Sequence, residues 1–472
     1  MERSSPGMCR RGPDLRRSGL PWNLMQGLQR LLLSFTVVLV GLLIIDLQPA
    51  AAQDYSGPSL LSRGGNSPGR RGRAPVDFTF YAALRGTYET GLFPVALTAS
   101  GGAPNPNISG VQAELGLYGG HVWRRTSLGV DYRGDWRQTN NAAYKQYSGD
   151  NHALSVAFET RPSARWGFGL SQVAGTSNRA FGGFSAPAFS EFNRPGIPIN
   201  EFFDSRVYFL QSSAGVTYAQ SARLSYSVNG GVYAVRRVNL SLVSVNGYSV
   251  SGQSSYRLTR SDTISANYTY MALNFPRVFG NSKIHVIAGG YNRRLNRNWS
   301  LSTLLGVFAA DTTGTEQVAL SPEVAFILGR STGFAAYHRV QWSPRYEGTV
   351  NYTLERSRFY VGASQGATPG NGVYLTTNQR IFSGGYSYTG LRRLSLGLSA
   401  GYSYSSSLAQ DIPGYKTAQT GGGLNYKLLR HLDFTTQADY RHFSAPGLRG
   451  RSGNSLAIGL AYSPSEFPLA IW

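Results

Sequence analysis

"RRLSLGLSAGYSYSS", residues 392–406, alternates along its length. Leu394, Leu396, Leu398, Ala400, Tyr402 and Tyr404 fall on one face, while Ser395, Gly397, Ser399, Gly401, Ser403 and Ser405 fall on the other. A period of two over such a length is a β-strand, because successive side chains of an extended chain point to opposite sides. What the apolar face touches decides the fold. It is either the core of a soluble sandwich or lipid.

The stretch has siblings. Leu128, Val130 and Tyr132 alternate with Ser127, Gly129 and Asp131, and Trp166, Phe168 and Leu170 alternate with Gly167, Gly169 and Ser171. The same scheme returns at Leu224–Val228, at Ile264–Tyr270, and in "LNRNWSLS" and "LLRHLDFTTQADYRH". Each of these strands follows a tight basic turn, marked by Arg125, Arg165, Arg223, Arg260, Arg297, Arg330, Arg356, Arg393 and Arg430 at intervals of 40, 58, 37, 37, 33, 26, 37 and 37. Between markers lie an outgoing strand, a looser segment rich in Gly, Ser, Asn and Pro, and a returning strand such as "TVNYTLE". The repeat is a β-hairpin with one short and one variable end. Nine turns, a first strand "VDFTFYAALRGTY" and a last strand "NSLAIGLAY" predict about 20 strands, within a range of 16–20. The interval of 26 and Pro322 strain this count, since a Pro inside a sheet marks a bulge or a segment that is not a strand.

Composition agrees with an exported all-β chain. Charged residues make up only 15%, against 57 Gly and 29 Tyr in 472 residues. The longest apolar run, Leu31–Ile45, is shorter than the ~20 residues of a spanning helix. Arg30 precedes it, and Ala50 and Ala52 stand at the −3 and −1 positions of a cleavage site, so residues 1–52 read as a secretory signal peptide cut after Ala52. Its long leading part leaves Met25 as an alternative start. Residues 53–76 read as a flexible periplasmic tail. The single cysteine, Cys9, lies before the cut, so no disulfide framework, thiol nucleophile or lipid-anchoring Cys is expected in the mature chain. The net charge of +21 falls to +18 without the six Arg and three acids of residues 1–52, and only four of the 45 basic residues are Lys. Such a balance suits acidic partners, and it suits Arg at lipid headgroups. No nucleic-acid motif appears, and no nucleic-acid partner is expected.

Three features favour a membrane barrel over a sandwich. One hairpin period runs from residue 77 to the end without a linker, whereas sandwiches break into units of ~100 residues. The two sets of connections are unequal, as in outer-membrane barrels. Aromatic residues gather near strand ends, as at Tyr268 and Tyr270, Tyr386 and Tyr388, Tyr402 and Tyr404, Trp166 and Trp299. On this reading the polar face lines a lumen, with Asp131, Arg133, Glu159, Arg339, Glu347, Glu355, Asp433, Asp439 and Arg441 as candidate lining residues. The chain over 77–472 resembles bacterial outer-membrane β-barrels of the porin-like kind, although it ends in Trp472 and has Pro464 and Pro468 in its last stretch. The final strand ends at Tyr462 or continues to Trp472.

The expected fold is therefore a single large transmembrane antiparallel up-and-down β-barrel in the bacterial outer membrane. Barrels of ~16–18 strands leave an aqueous channel, and residues 53–76 are too few for a plug. The expected function is passive passage of small solutes, with selectivity set by size and lining charge. The resemblance implies that the third outside loop folds inward. That loop is residues 176–205, with Phe181, Phe184, Phe189, Phe192, Phe202 and Phe203 to pack it and Glu191, Arg194, Glu201 and Asp204 to meet solutes. An extracellular flap is the other reading of this segment. The expected partners are outer-membrane lipid and lipopolysaccharide, small solutes and the barrel-assembly machinery, with a homo-oligomer left open. No cofactor, metal or catalytic residue is expected. His152 and His442 near the outer ends, with Asp150 and Asp439 close in sequence, are the best catalytic candidates, but neither a G-x-S-x-G elbow nor zinc-ligand spacing accompanies them. The alternatives are the barrel component of a polyanionic polysaccharide export system, a surface scaffold and, last, an outer-membrane hydrolase.

Overall fold

The computed structural model describes residues 77–91, 107–178, 206–239, 242–319, 321–369, 375–408, 413–446, 448–463 and 467–468. The signal peptide, its alternative start and the tail to residue 76 lie outside the described residues. Among the described residues the chain forms eighteen long strands. The first six are β1 (Asp77–Glu89), β2 (Ile108–Val122), β3 (Thr126–Thr139), β4 (Gly149–Thr160), β5 (Trp166–Asn178) and β6 (Arg206–Ala219). Next come β7 (Leu224–Arg237), β8 (Val245–Arg257), β9 (Asp262–Asn274), β10 (Gly280–Arg294), β11 (Trp299–Ala319) and β12 (Thr332–Thr353). The last six are β13 (Ser357–Pro369), β14 (Thr376–Tyr388), β15 (Leu394–Ser407), β16 (Tyr415–Leu429), β17 (Leu432–Ala445) and β18 (Leu448–Tyr462).

Every strand pairs antiparallel with the next, and β18 pairs back onto β1 from Ala82–Tyr462 to Glu89–Ser455, so the sheet closes. Closure removes the open edges that a sheet of this length would otherwise present. The final long strand ends at Tyr462, and the two residues Phe467–Pro468 then add a short strand, β19, beside Asp77 and Phe78.

Four of the eight tight turns owe their form to a shared local device. Ser163, Ser221, Thr259 and Asn296 each stand three residues before a strand and accept two backbone N–H bonds through a side-chain oxygen, at 2.8–3.3 Å. A short polar side chain that bonds its own backbone two residues on stands in for a peptide turn. The basic residue of each turn, Arg165, Arg223, Arg260 or Arg297, remains exposed.

Arg330 is the exception among the nine markers. It follows a seven-residue helix, α1 (Pro322–Leu328), in the loop connection between β11 and β12 rather than in a tight turn. Pro322 begins that helix, where its missing N–H has no intrahelical role, and Gly329 ends it at φ 63°, a left-handed conformation that suits a residue without Cβ. The intervals of 33 and 26 therefore belong to one long hairpin, and eight turns give eighteen strands instead of twenty.

Two residues directly opposite each other in an antiparallel pair project from the same face of the sheet. The cross-strand registers therefore carry one face assignment around all eighteen strands, and the β18–β1 ladder returns it unchanged. The outer face carries Leu84, Leu115, Leu170, Val228, Ile287, Leu305, Leu398 and Ile458, all exposed, with Leu305 at 67% and Leu398 at 50%. The apolar face of residues 392–406 therefore points away from the lumen. At the tight-turn end aromatics stack around the outer face, as in Trp166–Tyr218 at 4.7 Å and Trp299–Tyr352 at 4.5 Å between ring centroids.

Candidate solute pathway

The inner face has a charged sector and an apolar sector. The charged sector is supplied by β1–β4, β12 and β16–β18. Arg85 of β1 pairs with Glu114 of β2 at 2.5 Å, which also accepts from the Tyr81 hydroxyl at 2.9 Å. Glu89 and Arg137, both buried, form an ion pair that joins β1 to β3 across Gln112 of β2. Gln437, Asp439 and Ser455 complete a small polar cavity around that pair.

Register places eight of the nine candidate lining residues on this inner face. Asp131 and Arg133 pair with each other at 3.4 Å, and Glu159 lies on the same face, opposite Ser127. Arg339 lies opposite Thr312, while Glu347 lies opposite Leu304 and pairs with Arg345 at 3.3 Å. Asp433 faces Lys427, Asp439 accepts from Gln437 Nε2 at 2.8 Å, and Arg441 lies opposite Gln419. Glu355 is elsewhere: it lies in the turn between β12 and β13, outside the wall. Arg133, Arg345 and Glu347 keep 33%, 30% and 34% of their side-chain surfaces open.

The apolar sector occupies the loop half of β6–β11. Val207, Val235, Val245, Met271, Leu273, Ile284, Val286, Phe308 and Ala310 form one buried cluster with Phe275 of the β9–β10 connection. Two of its members come from far around the barrel: Leu375, just before β14, and Leu408, just after β15. Ala367 of β13 packs against it as well. Gly280, at the start of β10, lies so near that a Cβ there would meet Leu375 Cδ1 at 3.2 Å.

These contacts arise because the loop ends of β13 and β14 turn into the barrel. The β12–β13 ladder stops at Tyr346–Gln365, although both strands continue, and β13 approaches β11, with which it shares no ladder. Gln365, Ala367, Thr376 and Asn378 belong by register to the outer face. Gln365, Thr376 and Asn378 nonetheless lose their exposure, Gln365 retaining 4%, and Ala367 is partly buried; Gln365 Nε2, Thr376 Oγ1 and Asn378 Oδ1 have no hydrogen-bond partner among the described residues. On the opposite side of the mouth, the 3-10 turn Ala142–Tyr147, capped by Asn141, packs Tyr144 and Tyr147 on Ile108.

Glu191, Arg194, Glu201 and Asp204, with the Phe residues of the same loop, lie outside the described residues. The inward-turned ends of β13 and β14 were not foreseen. Pro344 and Pro369 were the available signals, since each removes a ladder donor. Of the histidines, His338 is on the outer face with Asp311 at 2.7 Å, and His152 is there with Asp150 at 3.3 Å and the Tyr132 hydroxyl at 3.0 Å. His442 Nδ1 lies 2.9 Å from the Ser452 hydroxyl.

No family model and no curated protein matches the chain. Among solved structures, it is similar to OpdQ of Pseudomonas aeruginosa, at 9% identity and a TM-score of 0.40, over 84% of this chain and 98% of that one. It is also similar to a BenF-like porin of Pseudomonas fluorescens Pf-5, at 13% identity and a TM-score of 0.41, over 83% and 98%. A third is OccAB3 of Acinetobacter baumannii, at 11% identity and 0.39, over 83% and 99%.

Proposed function

We propose that this chain is an outer-membrane channel for the passive passage of small solutes. One observation carries the reading: a closed eighteen-strand sheet presents exposed apolar side chains outward and ionised, water-accessible side chains inward. In water that arrangement is inverted. In a bilayer it is required, because a closed barrel satisfies all backbone groups internally while acyl chains cover the apolar face. Eighteen strands enclose more volume than inward side chains fill.

Solutes would pass along the charged sector, where Arg133, Glu159, Arg345, Glu347, Asp433 and Arg441 meet water and the buried Asp131 holds Arg133. The loop end faces outward from the cell, and the tight turns face the periplasm. At the loop end the outer face carries Arg206, Arg236, Lys283, Arg380 and Lys416 against Asp150 and Asp311, and both acids are paired. Such a rim suits the phosphates of lipopolysaccharide.

The test is conductance. Purified protein in a planar bilayer, without other subunits, is expected to give ohmic single-channel steps and to let small sugars swell liposomes. Protein that inserts yet neither conducts nor swells liposomes would refute the channel and favour a scaffold or an export component.

A further inference from the structure

Two backbone hydrogen bonds fix which way the peptide groups of β12 point. Thr353 N–H donates to Asn298 O of the β10–β11 turn at 2.8 Å, and Leu354 N–H donates to Ser357 O at 2.7 Å. The register of β12 with β11 is unbroken from Thr332 to Tyr352. Even-numbered residues of β12 therefore direct N–H and C=O toward β13, and odd-numbered residues direct theirs toward β11. The last observed pair on the β13 side is Tyr346–Gln365, and the next hydrogen-bonded pair in that register would be Pro344–Ala367. Residue 344 has no N–H to give.

Building on the channel reading above, we propose that Pro344 is the positioning residue of the outer constriction. By withholding the first donor that would continue the β12–β13 ladder, ahead of a second missing donor at Pro369, it releases β13 from the wall and sends Ala367 and Leu375 onto the cluster of Phe275, Ile284, Phe308 and Ala310. A residue that cannot donate is tolerated in a sheet only where pairing ends, and here it ends pairing on the side that faces β13. The released strand exchanges ladder bonds for apolar burial. Ala367, opposite Pro344 in the extended register, instead packs across the lumen, and Leu375 is 1% exposed. Gly366 supports the turn inward, because the Arg345 guanidinium occupies the space that a Cβ there would need. Arg345 and Glu347 thus lie just below the constriction, on the open side.

The test compares the full-length protein with Pro344→Thr and Leu375→Ser. The threonine restores a donor and favours extended backbone, and the serine removes the apolar anchor. Both are expected to raise single-channel conductance by about twofold or more, as a wider mouth dictates, whereas Pro162→Thr, in a tight turn at the other end, leaves it unchanged. A geometric readout runs beside it. In a Cys9→Ser background, the pair Gly280→Cys and Leu375→Cys is expected to cross-link with a short bis-thiosulfonate reagent, and adding Pro344→Thr should abolish the cross-link. Retention of the heat-modifiable gel band shows that each variant folds. If the parent protein conducts while Pro344→Thr keeps both the parental conductance and the cross-link, the proposal is overturned. The same holds if Leu375→Ser leaves conductance unchanged. Should the parent be silent, the channel reading fails by itself, and the cross-link still decides the role of Pro344.

Discussion

At the scale of single residues, neighbours in sequence meet opposite solvents. Leu398 and Ser399 are adjacent on β15, yet register sends the leucine outward and the serine into the lumen. An Arg on the lipid face near the bilayer midplane costs about 2–4 kcal/mol, while a lumen position tolerates it. Leu398→Arg is therefore expected to lower folding stability in lipid by that amount, and Ser399→Arg is expected to leave it nearly unchanged. Equilibrium urea titration in liposomes measures both, and equal losses would contradict the assignment of faces. This contrast was readable in the sequence, because a period of two needs only local geometry. Glu89 and Arg137 were not readable as partners. They are 48 positions apart, and only the stacking of β1, β2 and β3 brings them together.

At the scale of elements, the tight turns were readable from their repeated basic markers, and in four of the eight a polar side chain three residues before the strand builds the turn. The connection between β11 and β12 was misread for an equally local reason. "GRST" at 329–332 imitates a tight basic turn, but Pro322 and Gly329 bracket a helix. Glu323 lies in the first turn of α1, where a hydrogen bond from its own backbone N–H, and then the Ser321 hydroxyl, hold its carboxyl below the ordinary value of 4.5. A carboxylate whose folded pKa is depressed contributes stability above its unfolded value and loses it as pH falls through the folded one. The amides of residues 323–328 are therefore expected to exchange faster at pH 3 than at pH 7 after correction for intrinsic rates. Hydrogen exchange with mass spectrometry reads this directly, and equal protection at both pH values would contradict it.

At the scale of the molecule, everything rests on the closing ladder between β18 and β1, eight residue pairs long. A chain stopped at residue 447 would leave β17 and β1 as open edges. Unpaired backbone groups in hydrocarbon cost several kcal/mol each. That truncation is expected to yield no heat-modifiable species in detergent, and a folded band on unheated gels would show that closure is dispensable.

The all-β class, the hairpin repeat and the inequality of the two ends were legible in the chain alone, because alternation and turn chemistry act within a few residues; Glu355, read as a wall residue, fell in a turn because strand ends are not marked so locally. The strand count, the split of the lumen into charged and apolar sectors, and the inward turn of β13 and β14 emerge from the folded barrel alone. The first two depend on which strand lies beside which, and the third on the missing N–H at Pro344. That lack has meaning only once β13 is known to be its neighbour.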